Sequence, residues 1–170
     1  MQDAWQVRRN PVAYARHIGV QIGNDCRLLD INPLTFGSEP WLIRIGDHVT
    51  VTSGVKFITH DGGMWVFRTQ EPDLDVFGTI ELGNNVFVGV NTVLMPSIKI
   101  GDNTVIGAGS IVTRDIPSGV VAVGCPAKPL KSIEEYRKSV EDRVFYIRSR
   151  SMKERRKTLE EHFWTKNRHH

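Results

Sequence analysis

Counting every sixth residue from Val76 gives Val76, Leu82, Val88, Leu94, Ile100, Ile106 and Val112, an unbroken column of aliphatic side chains. A second column runs four places later, through Ile80, Val86, Thr92, Ile98, Thr104, Ser110 and Ile116, and holds only small or β-branched residues. Gly83, Gly89, Gly101 and Gly107 each directly follow a first-column residue, and glycine is permissive where a backbone bends sharply. A helix repeats its faces every 3.6 residues and a strand every 2, so a period of six belongs to neither. A unit of short strand plus turn fits it. Three such units close a triangular coil of about 18 residues, and successive coils stack at the parallel-strand spacing of about 4.8 Å. The first column then points inward as a continuous core.

The period also appears upstream, in Ile45, Val51 and Phe57 and in Ile22, Leu28 and Leu34. It slips twice, across residues 35–42 and across about 60–75, where Gly62, Gly63 and Pro72 lie. Segments that break a regular framework run over its surface and often carry function. After Ile116 and Pro117 the repeat decays, and Gly124, Cys125, Pro126 and Ala127 read as a turn out of the solenoid. Ser132 and Glu135 have capping-box spacing, and Ile133, Tyr136, Val140, Val144 and Ile147 give the following helix one apolar face. A second, weaker helical pattern covers 152–163, and a short helix is expected within 5–17. The expected organisation is an N-terminal segment at 1–17, an all-β solenoid at 18–130 with a loop insertion at about 61–75, and a helical extension at 131–170.

Composition narrows the function classes. The 170 residues suffice for one domain with a real core. No apolar run is long enough for a membrane-spanning helix, so membrane insertion is not expected, and no apolar stretch behind Arg8 and Arg9 makes a secretory leader. Cys26 and Cys125 are too few for a disulfide framework and lack metal-ligand spacing. These features fit a cytoplasmic protein. The net charge of +3 is unevenly placed: residues 131–170 hold twelve of the 22 Lys and Arg but seven of the 19 Asp and Glu. This surplus reads as a solvated helix face or as a phosphate-attracting surface. No nucleic-acid-binding motif accompanies it.

The stretches LGNNVFVG from Leu82 and IGDNTVIGAGSIVTRDIP from Ile100, with the exit VGCPAKP from Val123, resemble the hexapeptide-repeat acyltransferases. The branch they resemble most comprises the maltose and galactoside acetyltransferases and the sugar O-acetyltransferases of capsule and lipopolysaccharide synthesis. The resemblance covers roughly residues 20–131. It implies a left-handed parallel β-helix, a homotrimer with sites between neighbouring subunits, acetyl-CoA as acyl donor and a saccharide or other small-molecule acceptor. By position it implies His60 as the catalytic base, and cofactor contacts near Gly89, Ala108, Thr113, Lys128 and Lys131. The family often has tryptophan where this chain has Phe87, so that wall of the site differs.

The chemistry is consistent with that assignment. A sugar hydroxyl is a poor nucleophile near neutrality, and a neutral imidazole within hydrogen-bond reach removes its proton as it attacks the thioester. Of the six histidines, His60 alone stands where the repeat breaks into the loop, whereas His48 lies in a regular turn. Asn84 and Asn85 are candidate donors to the oxyanion, or serve turn geometry. Asp61 either orients the imidazole or turns the chain before Gly62 and Gly63. Trp65 and Arg68 are candidate acceptor contacts, with loop packing as the other reading; Lys128 and Lys131 either meet phosphate or are solvated. The repeats supply no histidine cluster of the kind a metal-dependent enzyme on this solenoid needs, so no metal is expected. An amino-sugar or antibiotic acceptor, or a non-enzymatic scaffold, remains the alternative to a sugar hydroxyl.

Overall fold

A computed structural model describes Val7 and residues 9–165. The chain enters through helix α1 (Pro11–His17), whose first turn is closed by Asn10, its side chain accepting from the Ala13 N–H at 3.0 Å. The part of the expected N-terminal helix before Val7, including Trp5, lies outside the described residues.

Among the described residues thirteen short strands follow, arranged as three faces. The first face stacks β1 (Gln21–Ile22), β3 (Ile43–Ile45), β6 (Ile80–Leu82) and β9 (Ile98–Ile100). The second stacks β2 (Arg27–Leu28), β4 (Thr50–Val51), β7 (Val86–Val88), β10 (Thr104–Ile106), β12 (Val120–Gly124) and β13 (Ala127–Ser132). The third stacks β5 (Lys56–Phe57), β8 (Val93–Leu94) and β11 (Ile111–Val112). All pairings are parallel except β12 with β13, the hairpin that ends the solenoid. Ile80 faces Ile98, Val86 faces Thr104 and Val93 faces Ile111, each pair 18 positions apart. One coil is therefore three hexads.

Apart from Val76, both columns are buried. Leu82, Val88, Leu94, Ile100, Ile106 and Val112 form the axial stack, and all seven residues of the second column are buried beside it, the hydroxyls of Thr92, Thr104 and Ser110 bonded to backbone carbonyls. Two residues that keep the spacing do not join the core: Val76 and Leu34 are exposed, at the edges of the segments where the phase slips. Gly89 shows why the glycines recur. A Cβ there would stand 2.5 Å from the Ala108 nitrogen of the next coil.

The corner between the first and second faces is tied by side chains. His48, Asn85 and Asn103 all adopt left-handed φ, near +55°. Asn85 Oδ1 lies 2.8 Å from His48 Nδ1, and its Nδ2 donates to Asn103 Oδ1 at 2.8 Å. Beside them, Asn84 Oδ1 accepts from the Asp47 N–H at 2.9 Å, and Asp102 Oδ1 accepts from the Asn84 N–H at 2.6 Å.

Past the hairpin, Ser132 and Glu135 close the expected reciprocal cap on helix α2 (Ile133–Ser139). The helix is shorter than the apolar pattern suggested. It stops at Ser139, whose carbonyl accepts from Arg143, and Val144 is exposed instead of packed. A separate unit, Arg137–His170, contains α3 (Met152–Glu160), capped by Ser151 and Glu154. Among the described residues no helix is long and apolar enough to cross a membrane.

Candidate active site

The third corner of the solenoid, after β5, is where the chain departs from the repeat. By register His60 is the counterpart of Ser97, because Phe57 pairs with Leu94. Ser97 makes a tight turn with φ of +60°, whereas His60 leads out into the loop. The neck of the loop is a short antiparallel bridge between His60 and Phe77. Gly78 N–H donates to the Thr59 carbonyl at 2.9 Å, and Asp61 N–H to the Val76 carbonyl at 2.8 Å. The His60 backbone is thus held from both sides although the loop beyond it is largely exposed. Phe77 stands edge-on to the imidazole, with centroids 6.3 Å apart.

A second segment converges on this corner. Residues 35–42, the earlier phase break, are anchored by Phe36, which is fully buried against Phe57 with centroids 5.3 Å apart, and by the Thr35 carbonyl, which accepts from Phe57 N–H. Gly37, at φ of +65°, turns the chain where a Cβ would come within 3.0 Å of the Phe57 carbonyl. Two residues on, Glu39 points back at the corner. Its Oε2 lies 3.0 Å from His60 Nδ1 and accepts from the Thr59 hydroxyl at 2.6 Å. The Glu39 side chain is 16% exposed and that of His60 37%. Burial pushes the Glu39 carboxyl up, but the hydrogen bonds from Thr59 and His60 and the charge on His60 outweigh it and hold the carboxyl below its ordinary value. No motif or period in the sequence marks Glu39.

The other candidates fall in three places. In the loop, Asp61 caps the 3-10 turn Gly62–Phe67, its carboxylate accepting from Gly63 N–H at 2.9 Å. Arg68 donates to the Leu74 carbonyl at 3.1 Å and pairs with Asp75 at 3.0 Å, stapling the loop to itself. Trp65 is 73% exposed. At the first corner, Asn84 and Asn85 are engaged in the ladders described above, at the far end of β6 from the His60 neck. Phe87 projects outward from β7, half-exposed, in register with Thr50 and Val105. At the second corner Gly89 and Ala108 lie in adjacent coils. The β12–β13 hairpin joins this edge, since Gly124 N–H donates to Ser110 Oγ at 3.2 Å. Lys128 faces Val123 and Lys131 faces Val121 across the hairpin. Thr113 is exposed just after β11, on the His60 side of the third face. Among the described residues no group of three or more His, Cys, Asp or Glu is placed to hold a metal.

Comparison with known proteins decides the family. Residues 79–114 match the model for bacterial transferase hexapeptide (six repeats). Protein CapG of Staphylococcus aureus is 50% identical over 141 residues, covering 83% of this chain and 82% of CapG. The chain belongs to the hexapeptide-repeat acyltransferases. As a member it is an acyl-transferring enzyme. Galactoside O-acetyltransferase of Escherichia coli is 37% identical over 97 residues, 57% of this chain, and the match spans only 47% of that relative's length. In fold the chain is similar to a hexapeptide-repeat acetyltransferase of Vibrio cholerae solved with acetyl coenzyme A. The TM-score is 0.55 at 21% identity, covering 77% of this chain and 83% of that one.

Proposed function

We propose that this acyltransferase moves an acetyl group from acetyl-CoA to a sugar hydroxyl, with His60 as general base, in the cytoplasmic steps of surface polysaccharide synthesis. The observation that carries the reading is His60 itself. It is a histidine fixed by its backbone at the neck of the loop, bonded through Nδ1 and still more than a third exposed. Nε2 is the nitrogen left to meet an acceptor. The galactoside O-acetyltransferase relative supports a saccharide acceptor, and the Vibrio structure supports acetyl-CoA as donor.

In the transfer, the acceptor oxygen attacks the thioester carbonyl while its proton passes to Nε2. The tetrahedral intermediate collapses with breakage of the carbon–sulfur bond, and the imidazolium returns the proton to the departing thiolate. No acyl-enzyme is needed, because the thioester is already activated. The donor lies along the second corner, by Gly89 and Ala108, with Lys128 and Lys131 on the phosphates as point charges; Thr113, on the His60 side of the third face, meets it from the third corner of the neighbouring copy. Phe87 lines the acceptor side together with Asp61, Trp65 and Arg68 of the loop, while Asn84 and Asn85, at the first corner, serve the ladder. In one chain His60 and the Gly89–Ala108 edge stand at opposite ends of the third face. A homotrimer, with the second corner of one copy beside the third corner of the next, brings them together.

The test is thiol release from acetyl-CoA in the presence of a panel of hexoses, N-acetylhexosamines and their methyl glycosides. The parent is expected to turn over at least one of them. His60→Ala is expected to lose about 10²–10⁴-fold, the usual contribution of a positioned base, with the fold and the melting shift by acetyl-CoA retained. Full turnover by His60→Ala would remove the base assignment.

A further inference from the structure

We infer that Glu39 is a positioning residue for the transfer, setting the tautomer of His60 and stabilising the imidazolium that forms on it; this rests on His60 being the base. Three observations lead there. Glu39 Oε2 is 3.0 Å from Nδ1, a distance that a donated N–H fits. An ionised carboxylate only accepts, and a carboxyl held below its ordinary value is ionised at neutral pH. Nδ1 therefore carries the proton, and in the neutral ring Nε2 is the acceptor, as a base needs.

The carboxylate is itself held. The Thr59 hydroxyl, on a residue that is 1% exposed, donates to the same oxygen at 2.6 Å. Thr59 and His60 are neighbours in sequence, so one oxygen is fixed by two donors from one stretch of backbone, and that backbone is fixed by the loop neck. The side chain reaches them from residues 35–42, whose path is set by buried Phe36 and by Gly37. When the proton of the acceptor arrives at Nε2, the ring becomes cationic 3.0 Å from a carboxylate. That contact is stronger in the charged state than before it, and only such differential contacts lower the barrier.

The inference separates into a hydrogen-bond part and a charge part, and two variants divide them. In Glu39→Gln the amide oxygen can take the place of Oε2 and accept from both Thr59 and Nδ1, but the charge is gone. In Glu39→Met both acceptor contacts are gone at similar volume. The readout that needs no acceptor is the ¹⁵N spectrum of the imidazole in the full-length protein, with His60 assigned by comparison with His60→Ala. The parent and Glu39→Gln are expected to show the Nδ1–H tautomer above the titration range, and Glu39→Met a mixture dominated by Nε2–H, the form preferred by a free ring. In thiol release with acetyl-CoA and the best acceptor of the panel, Glu39→Gln is expected to lose about tenfold and Glu39→Met about a hundredfold. Both losses would fall in kcat with little change in KM, inside the ~10²–10⁴-fold of the base itself. Glu39→Asp, too short to reach without movement, is expected to recover only part of the rate.

An unchanged tautomer in Glu39→Met, or unchanged kcat in both variants, overturns the inference. If Glu39→Met does not fold, Glu39→Gln decides, since full kcat there removes the charge role. Failure of the base assignment is seen separately, as full activity in His60→Ala.

Discussion

Replacing Asn85 separates a structural role from a catalytic one at a residue with claims to both. Asn85 holds φ of +55° and makes two side-chain bonds, to His48 and to Asn103, each of 2.8 Å. In Asn85→Ala both bonds are lost and an L side chain without a local hydrogen bond is left in the left-handed region. A net value of about 0.5–1 kcal/mol suits each exposed bond, and the backbone conformation adds about 1 kcal/mol. The expected loss is therefore about 2–3 kcal/mol. Asn85→Gly loses the same bonds but is at ease with the backbone, so its loss is about 1–2 kcal/mol. At roughly 2–4 °C per kcal/mol for a chain of this size, the melting midpoint falls by about 4–12 °C for alanine and about 2–8 °C for glycine. The alanine variant always lies below the glycine one. The assay is thermal unfolding of the three proteins at one concentration, with acetyl transfer per folded molecule measured alongside. A ladder role predicts the stability order parent, glycine, alanine, with similar turnover in all three. Equal midpoints would refute the ladder energetics. Preserved midpoints with a turnover loss of a hundredfold or more would make Asn85 an oxyanion donor.

Three further outcomes follow from the same geometry. Leu94→Ala, in the axial stack between Phe57 and Val112 and fully buried, is expected to cost about 2–5 kcal/mol by urea titration, and Leu94→Met less than about 1.5 kcal/mol; equal costs would mean the stack is not close-packed. Lys128→Glu with Lys131→Glu is expected to diminish the melting shift produced by acetyl-CoA without moving the melting point of the free protein; an undiminished shift removes both lysines from the phosphate site. Because the folded-state Glu39 carboxyl lies below its ordinary value, it contributes stability in full above the unfolded value of about 4.3. That contribution is lost as pH falls through the lower folded value. The urea-midpoint gap between parent and Glu39→Gln is thus expected to be open at about pH 6 and to close on acidification below about pH 4; a gap unchanged at about pH 3 refutes it.

The solenoid was legible because its constraint repeats. Every coil needs an inward aliphatic at the same place, and a glycine where the next coil passes within a Cβ's reach, as at Gly89. One constraint written several times leaves a period. Val76 and Leu34 mark the limit of that reading: spacing alone does not distinguish a core residue from an apolar loop residue that falls on the count, and both lie where the chain has left the coil. The spacing also overstates the length of α2, since it runs on through Val144 after the helix has ended at Ser139. Glu39 was not legible at all. It meets His60 across 21 positions of sequence, from a segment with no period, and nothing in its neighbours distinguishes it from a surface glutamate. Asp61 is the carboxylate that sequence places next to His60, but it bonds the Gly63 N–H two residues on, the usual habit of Asp in a turn.

The position of the site follows from what a regular coil consumes. Within the repeat, backbone N–H and C=O groups are taken by the coils above and below, and polar corner side chains such as Asn84, Asn85 and Asp102 are taken by their stacked neighbours. A regular corner offers few unengaged functional groups. The third corner of the β3–β5 coil is different because the tight turn that Ser97 makes one coil later is replaced by an excursion beginning at His60 and returning at Gly78. The return is constrained: a Cβ on Gly78 would lie 2.5 Å from the Ser97 nitrogen, so the chain must re-enter flush against the next turn. The first phase break, at residues 35–42, has its end at the same corner, and it is there that Glu39 arrives. Two interruptions of one repeat, separated by a full coil of chain, therefore meet at a single edge of the solenoid. The rigid coils between them fix the distance between the imidazole and the carboxylate, and the interruptions free those two groups for chemistry.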